Sequence, residues 1–131
     1  MLDLNCSIYL SPSWSEELLI KEVYLFLGGE KYIHSCISTK NYELTIDKND
    51  SADEKDEKDF PDGFLYFKYI LYLDFLGKNS KEFCVTEVSR LLIWLWHNGC
   101  AAVASCDYED SLPEEGGYKS RNIPWPGDKE N

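Results

Sequence analysis

The alternation of apolar and polar positions predicts most of the elements of this chain. Cys6 to Leu10 reads as a short strand, which Ser11-Pro12-Ser13 breaks. Ser13-Trp14-Ser15-Glu16 fits a capping box, with the Ser13 hydroxyl accepting from the backbone and Glu16 reaching back. Leu19, Val23, Phe26 and Leu27 then recur at helical spacing, and Gly28-Gly29 supplies a left-handed stop. From Lys31 to Asp47 the pattern alternates: Tyr32, His34 and Cys36 share one parity, and later Tyr42, Leu44 and Ile46 face one way. This predicts one half-buried strand, or two joined by a turn or bulge at Ser38 to Lys40.

Phe64 to Phe75 is the strongest strand signal. Leu65, Phe67, Tyr69, Leu71, Leu73 and Phe75 share a face that belongs on the core. On the opposite parity, Tyr66, Ile70 and Tyr72 are more apolar than a solvated face needs, so either something covers them or they form a contact surface. Ser80 can cap a helix running to about His97, striped by Cys84, Val88, Leu91 and Leu95 and closed by Asn98-Gly99. Cys100 to Cys106 is small and apolar, a buried strand that a neighbour can approach closely.

The order is strand, helix, one or two strands, long loop, strand, helix, strand. It predicts an α+β fold, a ferredoxin-like split βαβ sandwich with two helices on one face of an antiparallel sheet. Leu19, Val23, Leu91 and Leu95 would cover the core face, and the other face stays open unless the tail or a partner covers it. A length of 131 residues makes this a single domain, 1–131. Positions 48–62, acidic and with Phe60 as their one large apolar side chain, read as a mobile hairpin loop. Positions 107–131 form an acidic, Gly- and Pro-containing C-terminal segment. Within it Tyr118, Ile123 and Trp125 either pack back on the sheet or offer Trp125 as a recognition anchor.

Charge narrows the function. With 13 Lys and Arg against 24 Asp and Glu, the formal charge is −11. Phosphates repel such a chain, so nucleic acid and anionic membrane surfaces are excluded and a basic partner is favoured. The five cysteines are odd in number and scattered, with no Cys-x-x-Cys pair, which predicts reduced core thiols. The first residues, Met1-Leu2-Asp3-Leu4-Asn5-Cys6, show neither a basic nor an apolar signal region, so a cytoplasmic location is expected.

Catalytic patterns are missing. His34 and His97 are the only two histidines; His97 beside Cys100 lacks an evident third orienting group and reads as a helix end followed by a core thiol. There is no EF-hand loop, phosphate loop or Gly-x-Ser-x-Gly. No enzymatic activity, cofactor or metal is expected. The carboxylates Asp107, Glu109, Asp110, Glu114 and Glu115, set beside Tyr108, Tyr118 and Trp125, are instead the candidate partner-binding residues.

A small acidic single domain, a strand-rich aromatic core, and the acidic-aromatic run from Cys106 to Tyr118 together resemble a bacterial immunity protein of a polymorphic-toxin or contact-dependent growth inhibition system. The resemblance implies a cytosolic inhibitor that binds a basic cognate toxin, a nuclease, and occludes its active site. Two other readings stand beside it: an interaction or assembly module unrelated to toxins, and a small enzyme or small-molecule binder. A deep polar pocket holding His34 or His97 beside a carboxylate would favour the last.

Overall fold

The computed structural model describes residues 2–127. In chain order it contains β1 (Cys6–Ser11), α1 (Glu16–Leu27), β2 (Lys31–Ile33), β3 (Cys36–Ser38), β4 (Tyr42–Lys48), β5 (Tyr69–Phe75), α2 (Lys81–His97) and β6 (Ala101–Ser105). The strands form one antiparallel sheet in the order β2-β3-β4-β5-β1-β6. Among the described residues no helix is long and apolar enough to cross a membrane.

Both helices cover one face. Leu19 and Val23 of α1, with Cys84, Val88, Leu91 and Leu95 of α2, pack in one cluster with Ile8, Leu10, Leu44, Ile46, Leu71 and Leu73. The stack of Phe26 on Trp94, with ring centroids 4.4 Å apart, joins the helices. Ser80 caps α2 as expected, its hydroxyl accepting from the Phe83 N–H. At α1 the cap is Ser15, which accepts from Leu18 N–H; Ser13 instead donates to the Asn98 carbonyl. Pro12 and Trp14 carry the chain past the end of α2 before the helix starts, which moves the cap two residues on.

The stretch 31–47 holds three strands rather than one or two. His34, at φ 55°, occupies the turn between β2 and β3 instead of a strand position, and a second turn, tied by the Thr39 hydroxyl, precedes β4. Two tight turns leave strands of three residues, too short for periodicity to separate.

A second departure concerns 48–66. The acidic stretch expected as a mobile loop follows a defined path through 3₁₀ turns at Asp56–Lys58 and Asp62–Tyr66. Asp53 accepts from the N–H groups of Lys55 and Asp56, which holds its carboxyl below the usual range. Asn49 donates to the carbonyls of Leu65 and Phe67. Local carboxylate and amide bonds thus fix a backbone that apolar burial alone would not. Leu65 in consequence lies outside the strand and is 45% exposed.

Phe67 turns to the other face. There it meets Ala101, Val103, Ile123 and Trp125 in a second apolar cluster, with Tyr9, Phe60 and Phe64 packed around it. The C-terminal segment crosses β6 to reach this cluster. A Cβ on Gly117, whose φ is +99°, would lie 2.8 Å from the Ala102 carbonyl oxygen. The small residues of β6 and the two glycines therefore belong to one close crossing.

Candidate functional site: an acidic cleft on the open sheet face

The face opposite the helices is only partly covered. Phe64, Phe67, Ile123 and Trp125 shield Tyr9 and Val103, at the β1–β6 side. Strand register places Ile33, Cys36, Thr45, Tyr72, Ser7 and Ser105 in one row across the remaining face. A parallel row runs Lys31, Ser38, Glu43, Asp74. Tyr72 is 41% exposed and Ile33 54%. Tyr72 is thus only partly covered among the described residues.

At the β1 end this face deepens into a cleft of about 510 Å³. Asp3, Asp74 and Asp107 line it with Tyr72, and among the described residues no Lys or Arg does. The wall is built by carboxylates acting on backbone. Asp107 accepts from the Asp3 N–H at 3.0 Å, and Asp3 accepts from the Asn5 N–H at 3.0 Å. The Asn5 amide donates to Asp74 at 2.8 Å while its oxygen accepts from the Phe75 N–H at 3.0 Å. Glu109 accepts from the Cys106 N–H at 3.0 Å. Residues 3–5 are thereby held against β5 and the start of the tail.

Among the described residues the only ion pair is Arg90 with Glu87, remote on α2. Uncompensated charges of one sign around a concavity focus a negative potential outward. Among the described residues no group of His, Cys, Asp and Glu could hold a metal ion.

The residues expected from sequence separate into several roles. Asp107 lines the cleft. Glu109 and Tyr118 line an adjoining hollow of about 180 Å³, where the Tyr118 hydroxyl donates to Asp62. Asp110 is exposed beside them. Glu114 and Glu115 sit in a left-handed turn over β6, where Glu114 accepts from Ser120 and Asn122; neither lines the cleft. Tyr108 and Trp125, also expected at the interface, are both buried in the chain's own cores. Tyr108 donates to the Leu4 carbonyl from within the main core, and Trp125 donates to the Lys58 carbonyl from within the second. Their apolar rings gain more from the chain's own core than from solvent-facing display.

Sequence reasoning missed Asp3, Asn5, Glu43 and Asp74 as surface elements. The parity of Tyr72 and Asp74 was the available signal; nothing local marks Asp3. A second concavity, about 410 Å³, is walled by Pro12, Ala101, Pro124 and Trp125, with Glu57 at its edge. Neither histidine lines either concavity, and Cys100 is wholly buried while His97 is exposed. Comparison with protein-family models, curated proteins and solved structures returned no match.

Proposed function

We propose that this protein binds a basic protein, a toxic nuclease, and occludes its active site. The observation that carries the reading is the cleft bounded by Asp3, Asp74 and Asp107, with no cation paired to them among the described residues and the partly exposed Tyr72 ring beside them. Nuclease sites are basic because they hold phosphates, and a rigid array of carboxylates is complementary to them. Tyr72 supplies a desolvated contact, and the surrounding carboxylates speed encounter. Glu43 and Asp47 extend the negative surface across β4, while Lys31 alone interrupts it along the second row.

The same reading extends to the fold. The path β1-α1-β4-β5-α2-β6, with sheet order β4-β5-β1-β6, is compatible with a ferredoxin-like split βαβ unit to which the β2–β3 hairpin is added. Such a unit leaves one sheet face for recognition.

The test is retrieval of the protein with its bound partner from the source cells, followed by assay of that partner on DNA and RNA. A basic nuclease whose activity the protein suppresses, and which the Tyr72→Ala, Asp74→Asn double variant no longer suppresses, supports the reading. A neutral or acidic partner, or full suppression by that variant, overturns it.

A further inference from the structure

Two cysteines, Cys6 and Cys106, line the acidic cleft. In the β1–β6 ladder the last registered pair is Ser7 with Ser105, so the next step sets Cys6 opposite Cys106. The Ala102 carbonyl accepts from the Trp96 indole N–H at 3.0 Å, and the Ala104 carbonyl faces Gly116, so both turn away from β1. Even-numbered positions of this ladder are therefore its narrow sites, where opposed Cα atoms approach to about 4.5 Å. That separation falls within the span a disulfide bridges, about 4.4–6.8 Å. The Cys6 thiol donates to the Ser7 carbonyl at 3.7 Å, and Cys6 and Cys106 lie near enough to shift each other's ionisation in opposite directions. Cys6 is buried in the main core; Cys106 is half-buried, and both border the cleft.

We propose that Cys106 and Cys6 form a reversible disulfide in response to a peroxide, with Cys106 the attacking and Cys6 the resolving thiol. The Cys106 thiolate attacks one peroxide oxygen and the O–O bond breaks. The sulfur becomes a sulfenic acid, and the departing hydroxide takes up the proton lost from Cys106 to leave as water. Cys6 sulfur then displaces the sulfenic hydroxyl, which leaves with the Cys6 proton as a second water. Two thiols lose two electrons, and the peroxide is reduced to two waters.

Their positions assign the order. Cys106 is half-buried at the cleft and can meet peroxide, whereas Cys6 is 3% exposed and packs in the main core. The neighbouring Cys6 thiol, and then the Tyr108 N–H, favour a thiolate on Cys106. Burial, and then Glu109 and Asp107, work against it, so the response is slow relative to a dedicated peroxidase site. Cys84, the third thiol near Tyr108, is wholly buried on α2 and takes no part.

The test treats the folded full-length protein with hydrogen peroxide, alkylates it under denaturing conditions and maps the cysteines by mass spectrometry. The expected result is a loss of two hydrogens, a Cys6–Cys106 linked peptide, alkylated Cys36, Cys84 and Cys100, and full reversal by dithiothreitol. In Cys6→Ser, dimedone should trap a sulfenic acid on Cys106. Five alkylated cysteines after treatment, a bond that includes Cys84, or sulfenic acid first on Cys6 in Cys106→Ser would each overturn the assignment.

Discussion

Ser11 Oγ donates to Glu57 Oε1 at 2.6 Å, tying the end of β1 to the acidic stretch 46 residues away. The same hydroxyl accepts from the Lys68 N–H at 3.2 Å, just before β5. Glu57 is 6% exposed, so this contact carries the solvation of a nearly buried carboxylate. Ser11→Ala should therefore destabilise by about 1–3 kcal/mol, the cost of stranding a buried polar group. Urea unfolding measures it; a change within experimental error would mean that the carboxylate is solvated without Ser11.

The boundary of β5 makes a sharp contrast between neighbours. Leu65→Ala, at an exposed 3₁₀ position, should change stability by less than about 0.5 kcal/mol. Phe67→Ala empties the second cluster and should cost about 3–5 kcal/mol, and Leu71→Ala in the main core about 2–5 kcal/mol. Equal losses at 65 and 67 would restore the longer strand read from alternation.

Gly117→Ala brings a methyl against the Ala102 carbonyl at positive φ and should lower the midpoint of thermal unfolding markedly. Gly77 also has positive φ, +67°, but open space where the Cβ would go. Gly77→Ala should cost only the left-handed penalty, about 1–2 kcal/mol. The difference between the two variants isolates the crossing over β6.

Alkaline pH should reveal two protected phenols. Burial, then the charge and hydrogen bond of Glu87, push Tyr42 upward; burial and then Cys6 and Cys106 push Tyr108 upward. In both, the folded state favours the neutral phenol. Their contribution is complete below the unfolded value, near ~10, and is lost as pH rises from there through the folded value. Of the nine tyrosines, these two should ionise only with unfolding, read as a late rise in ultraviolet tyrosinate absorbance coincident with loss of circular dichroism. Ionisation of all nine in the still-folded protein would contradict this.

Much of the scaffold was legible because its signals are local. Ser80 starts and Gly28 stops a helix by its own chemistry, and Leu71 and Leu73 alternate over enough residues to declare a strand. Residues 31–47 were not legible in detail, since turns at His34 and Thr39 break the period before it repeats. The cleft was half legible. Asp107 stood out by composition, but Asp3 and Asp74 join it only through Asn5 and the strand register, which are long-range relations. Trp125 looked the same in sequence whether it served a partner or the chain; only its bond to the Lys58 carbonyl decides.

The Gly116-Gly117 crossing has a consequence for self-association. It lies along the free side of β6, and Trp96 already occupies the Ala102 carbonyl there, so that margin offers no ladder to a second chain. The opposite margin, β2, is three exposed residues with no such cover. Two copies that zipped β2 to β2 about a twofold axis would present a sealed β6 at each end. Edge-to-edge pairing through β2 would then stop at two copies, because the glycine crossing closes the β6 edge of each.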